Sequence, residues 1–150
     1  MFADAIALFF VIQSGLSGSA YTRDAPGYSS ENYLLANRIQ AAVFVRRLQD
    51  AVDRNDRLAV AKAIRLPLRV NGPQNYQVRY YRKLSDVLRD YDRLFPAPVV
   101  DAIASQDLGD LPRLDGNYMI GSGDIWFGQA CLDKFCDDMG RFEIFVINRS

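Results

Sequence analysis

The side chains of this chain able to do chemistry are acids, tyrosines, arginines, lysines and two cysteines; histidine is absent. Neutral imidazole is the usual general base near pH 7 and the commonest metal ligand. A Ser-His-Asp triad, a Cys-His dyad and a histidine-based zinc site are therefore excluded within one chain, and any catalysis would rest on Asp, Glu, Tyr, Lys or Arg. Cys131 and Cys136 alone are too few for tetrahedral zinc, which needs two further ligands. Flanking a turn they would close a small disulfide loop, which an exported location permits; the alternative is two unlinked thiols. No metal and no cofactor is expected.

The acids crowd the second half, at Asp90, Asp92, Asp101, Asp110, Asp115 and Asp124. Asp124 follows a turn glycine and is expected to hold the tip of a hairpin through backbone bonds, and the helix dipole accounts for Asp101. A buried Asp of raised pKa could act as a base, but spacing singles none out and no catalytic residue is named. Asp133, Asp137 and Asp138 lack the spacing and glycine of a calcium loop and read as a solvated acidic turn. Arg69 and Tyr118 are the strand residues best able to present donors to an anionic or carbonyl ligand; otherwise they are a surface Arg and a packing Tyr. Trp126, the single tryptophan, is either a third ligand-binding residue or part of a core or interface. The tract Arg79-Tyr80-Tyr81-Arg82 has the residue types that grip single-stranded nucleic acid. With Lys+Arg and Asp+Glu both at 18, the chain lacks a basic footprint, and no nucleic-acid partner is expected.

Positioning these groups requires elements that the pattern supplies. At 150 residues the chain can bury roughly two-thirds of its unfolded surface in one domain. Ala5 to Ile12 is an apolar run followed by Gly18 and Ala20, small residues suited to a cleavage point. Residues 1–20 read as an export signal or, since Asp4 is the only early charge, as a buried N-terminal helix; the run is too short for a transmembrane span of about 20 residues. Residues 21–29 read as a linker and 30–150 as the domain. A helix is expected from Ser29 or Ser30, with Leu34, Leu35, Ile39, Ala41, Ala42, Val45, Leu48 and Val52 on its apolar face. A break at Asn55-Asp56 precedes a short helix from Arg57 to Ile64. Leu66 to Val70 and Tyr76 to Tyr81 read as strands, the first confined by Pro67 to an edge or a strand start. Helices are expected over Ser85–Phe95 and from Val99 to Ser105, with Pro98 in the first turn, and 108–114 as irregular chain. Asp115 to Phe127 forms a hairpin turning at Ser122-Gly123, and Phe142 to Asn148 closes the chain as a strand. Strict alternation there puts Phe142, Ile144 and Val146 on one face and Phe145 and Ile147 on the other. Helices first and strands last argue an α+β domain, with helices packed on one face of an antiparallel sheet.

Several of these segments carry a resemblance: Leu66-Pro-Leu-Arg-Val70, the helix end Tyr91-Asp-Arg-Leu-Phe95, Val100-Asp-Ala-Ile103, the hairpin Gly116 to Phe127, and Ile147-Asn148. On them the chain resembles small exported bacterial members, mostly of unknown function, of the nuclear transport factor 2-like superfamily. That resemblance implies a cone: a curved antiparallel sheet, helices closing one side, and an internal cavity for a small-molecule ligand. Isomerase-like enzymes, dehydratases, adaptors and binding modules share such a fold, so it leaves function open. The superfamily's enzymes place Asp, Tyr or His in the cone, and no such set can be matched here residue by residue. The resulting expectation is a small exported, periplasmic binding or structural module, with a homodimer through the sheet as one arrangement. The alternatives are a cone-pocket isomerase or hydrolase-like enzyme using Asp and Tyr, and a protein-binding accessory factor using the loop around Cys131 and Cys136.

Overall fold

The computed structural model describes residues 30–73 and 77–149. The expected export signal, the linker and the possible cap Ser29 lie outside the described residues. Eleven elements follow in order: α1 (Ser30–Asp53), α2 (Arg57–Lys62), β1 (Ile64–Asn71), β2 (Val78–Tyr81), α3 (Leu84–Arg89), α4 (Tyr91–Leu94), α5 (Ala97–Ser105), β3 (Arg113–Leu114), β4 (Asn117–Ile120), β5 (Ile125–Cys131) and β6 (Met139–Asn148). The class is α+β. The strands make one open sheet in the order β2-β1-β6-β5-β4-β3. Its pairs are antiparallel except β1 with β6, which run parallel, so the sheet is mixed rather than wholly antiparallel.

Local chemistry explains most boundaries. Asp56 caps α2, its carboxylate accepting from the Ala59 N–H at 2.9 Å. Pro98 occupies the first turn of α5, where its missing N–H costs nothing. The helix expected over Ser85–Phe95 is instead two short pieces, and between them Asp90 lies outside the helical region with its carboxylate accepting from the Tyr81 hydroxyl. Pro67 does not confine β1 to an edge: the strand lies between β2 and β6. The proline falls where pairing is suspended, since β6 pairs at Ile64 and again at Arg69, and β2 pairs only from Leu68. A residue without an N–H thus interrupts no ladder bond. Two residues of the expected irregular stretch, Arg113 and Leu114, pair with β4 as β3.

The hairpin turn holds four residues, Gly121 to Asp124, rather than a tight Ser122-Gly123 pair. Gly121 and Gly123 both have positive φ (64° and 97°). Asp124 supports the tip as expected, accepting from the Ser122 N–H at 3.1 Å.

The helices cover one face of the sheet. Leu68, Val70, Tyr118, Ile120, Ile125, Phe127, Phe142, Ile144 and Ile147 point inward to Ala41, Val45 and Leu48 of α1 and Val60 and Ala61 of α2. Phe127, fully buried, is ringed by Phe44 at 5.0 Å, Tyr118 at 5.6 Å and Phe142 at 6.0 Å between ring centroids. A buried Gln49 ties α1 to α5, donating to the carbonyls of Ile103 (3.0 Å) and Gln106 (2.9 Å) at the end of that helix.

Strict alternation fails in β6. Trp126 pairs with Val146 and Phe127 with Ile144, so Phe145 is one residue too many. The bulge turns Phe145 outward beside Val146, under the Arg65 guanidinium (4.9 Å to the ring), and leaves Ile147 inward with Ile144 and Phe142. On α1 the apolar face is also narrower than the spacing implies. Leu34, Leu35 and Ile39 are exposed, and the buried position in that first stretch is Asn37.

The bulge gives an unequal pair of aromatic truncations. Phe127→Ala should destabilise the fold by about 3–5 kcal/mol, whereas Phe145→Ala, half-exposed on the outer face, should cost about 1 kcal/mol. Urea denaturation monitored by circular dichroism distinguishes them; equal losses would mean Phe145 lies in the core.

Candidate functional site

Where α1 runs past the ends of β5 and β6, the inner side of the sheet is not filled. A pocket of about 630 Å³ lies there. Phe44, Leu48, Ala51, Ala59, Ala63 and Phe142 make its apolar floor and walls, and Ile39, Val43 and Met139 extend that surface outward. Part of its lining is small: Ala51 of α1, Ala59 of α2 and Ala63 just after α2 present only methyl groups to it. The exposed side chains of Arg47, Lys62 and Arg141 also line it, and no carboxylate does. Arg141 is engaged by Glu143 at 2.8 Å, while Arg47 and Lys62 form no ion pair among the described residues.

One wall of the pocket is held by a polar relay through the core. The Tyr118 hydroxyl donates to Asn37 Oδ1 (2.9 Å), Asn37 Nδ2 donates to Gln129 Oε1 (2.7 Å), and Gln129 Nε2 donates to the Gly140 carbonyl (2.9 Å). Each buried polar group is thereby satisfied, and the relay fixes the side chain of Gln129, which lines the pocket. Asn37 and Gln129 were not singled out in the sequence. The only signal was an amide at a stripe position, four residues before Ala41 and eight before Val45.

The three expected ligand residues do not converge. Tyr118 is buried on the inner face, 2% exposed, within this relay. Arg69 lies on the outer face, where Nε donates to Asn71 Oδ1 at 2.9 Å. Register places Arg69 opposite Val146, and Val146 opposite Trp126, so Arg69 and Trp126 share the outer face on either side of Val146. The Arg69–Tyr118 donor pair is therefore split by the sheet itself, because the two residues fall on opposite faces of strands three places apart.

Cys131 and Cys136 are at disulfide distance, their Sγ atoms 1.96 Å apart. Asp133 organises the loop between them. Its carboxylate accepts from the N–H groups of Asp138, Phe135 (2.7 Å) and Asp137 (3.2 Å), and these bonds hold it below the usual carboxylate range. The acidic turn is thus a capped loop as well as a solvated one. Leu132 leans over Gly140, so the loop borders the pocket, and its Leu132 and Phe135 are exposed.

A Tyr–Asp pair does exist, but elsewhere. Tyr81 donates to Asp90 Oδ2 at 3.0 Å. Burial, then the bond to Asp90, raises the phenol above its ordinary value. The Arg89 bond, with help from Tyr81, holds Asp90 below the carboxylate range despite some burial. An acid so depressed is a poor general base near neutrality. Among the described residues no cluster of three His, Cys, Asp or Glu could hold a metal, and no helix is long and apolar enough to cross a membrane.

Comparison with family models, with curated proteins and with solved structures returned no match.

The Tyr81–Asp90 pair has a definite pH signature. A depressed Asp90 contributes stability above the ordinary carboxylate pKa near 3.9, lost as pH falls through the lower folded value. A raised Tyr81 contributes below about pH 10, and that is lost as pH rises through the higher folded value. Carbon-detected NMR titration should find Asp90 below the ordinary range, and Asp90→Asn should flatten the acid limb of stability. An Asp90 titrating at or above 3.9 would contradict this and restore it as a candidate base.

Proposed function

We propose that this protein is a binding module whose helix–sheet pocket takes an amphipathic acid, with an apolar body against Phe44, Phe142 and the three alanines and an anionic head at Arg47 and Lys62. The observation that carries the reading is the lining: apolar walls, three basic side chains at the exposed margin and no acid. Its volume falls in the range of about 300–1,000 Å³ common for small-molecule sites. An enzymatic reading is disfavoured, because the lining holds no carboxylate and Tyr118, joined to the pocket wall through the relay, bonds an amide. The same proposal keeps the cone-type superfamily as the parent fold, supported by the α+β layering and a pocket between helices and sheet. It also keeps export, supported by the cysteine pair at disulfide distance.

Calorimetric titration with dodecanoate and dodecanol tests it. The acid should bind more tightly than the alcohol, and Arg47→Gln with Lys62→Gln should lower affinity for the acid about tenfold, or 1.4 kcal/mol, with little effect on the alcohol. Ala59→Leu, which fills the pocket, should weaken both ligands. Trp126 lies on the opposite face of the sheet from the pocket, so its emission should barely change on binding. Strong tryptophan quenching, or equal affinity for acid and alcohol, would refute the assignment.

A further inference from the structure

A second, smaller cavity lies at the other end of the sheet, and its chemistry is different. It holds about 200 Å³ between the β1–β2 end, α4 and the tail of β6, lined by Val70, Gly72, Gln77, Val78 and Tyr81 with Arg79, Arg93 and Arg149. At roughly 30 Å³ per water, it suits a few waters or a small ion rather than the ligand of the larger pocket.

Three guanidinium groups thus line one small cavity, and their charges are not matched. Asp90 is the nearby acid, and it is shared: Arg89 Nε contacts it at 3.2 Å and Arg79 at 3.7 Å. Arg93 and Arg149 pair with no described carboxylate. Arg149 is also held in place. Its backbone N–H donates to the Asn71 carbonyl at 2.9 Å, and one terminal nitrogen donates to the Arg93 carbonyl at 3.3 Å. Its Nε, by contrast, is buried and has no hydrogen-bond partner. Shielded from any water-sized probe, that nitrogen is also out of reach of a ligand in the cavity.

We propose that this cavity is an oxyanion site for a phosphoryl group, which would accept from the terminal guanidinium nitrogens of Arg79, Arg93 and Arg149. Guanidinium forks match phosphate oxygens bidentately. A phosphomonoester carries about −1.5 to −2 at pH 7, which answers the two unmatched cations better than a single carboxylate. Tyr81, its hydroxyl already directed to Asp90, supplies an apolar wall, and the Gln77 amide is the uncharged polar group of the lining.

The test is a nitrogen–proton NMR titration of the full chain with inorganic phosphate at constant ionic strength, with acetate as the second arm. Phosphate should give saturable shifts at the amides of Gly72, Val78 and Arg149, with acetate at least about tenfold weaker. Arg93→Gln and Arg149→Gln should each weaken phosphate about tenfold, and Arg69→Gln on the outer face should change nothing. Arg93 is exposed, so its variant should fold and decides the matter even if the Arg149 variant does not. Linear, unsaturable shifts, or an unchanged affinity in Arg93→Gln, would overturn the site. Acetate binding as tightly as phosphate would overturn the phosphoryl assignment.

Discussion

Phe44 of α1 lies against Phe127 of β5, with Tyr118 and Phe142 closing around the same ring. That contact seats α1 on the sheet, its 5.0 Å centroid spacing lying within the range usual for stacked aromatic rings. The Tyr118–Asn37–Gln129 relay runs from this cluster to Gly140 and forms one wall of the pocket. Ala51, Ala59 and Ala63 stand across from it, and their small side chains leave the space unfilled. A dense aromatic core and an open pocket thus lie side by side beneath α1.

The bulge at Phe145 serves the same arrangement. Without the extra residue, Ile147 and Ile144 would fall on opposite faces, and the sheet could not bury both. On the partner strand a side chain at Gly128 would collide with the Asn117 amide, while the Phe145 ring lies at ordinary contact distance from that position. The outer face that results carries Arg65, Arg69, Trp126 and Phe145, a mixture of cations and half-buried aromatics. The two cavities, at opposite ends of the sheet, both carry cations and no carboxylate in their linings. In a chain of zero formal charge, each of the two cavities thus carries three basic residues and no acid in its lining.

Features set by neighbouring residues were legible in the sequence. The α+β class, the Asp56 break, the Pro98 helix start, the Asp124-supported hairpin and the Cys131–Cys136 pairing follow from caps, breakers and short spacings. What was not legible depends on partners distant in the chain. The parallel pairing of β1 with β6 joins residues about eighty apart, so Pro67 read as an edge signal although it sits in an interior strand. The bond from Tyr81 to Asp90, at the break between α3 and α4, is one that no helix propensity registers. Whether Arg69 and Tyr118 share a face depends on register across β6 and β5, and the bulge in β6 shifts that register by one. The pocket is assembled from α1, α2, β5 and β6, and its only local trace was the small residues at Ala51, Ala59 and Ala63.

The central claim is that an acid with an apolar chain occupies the space beside Phe44. Isotope-filtered NOE spectroscopy on the protein with carbon-13-labelled dodecanoate tests this most directly. The account predicts contacts from the ligand's methylene protons to Phe44, Phe142 and Ala63. Contacts confined to Trp126 and Val146 on the outer face, or to Leu35 and Phe135 on the surface, would contradict it.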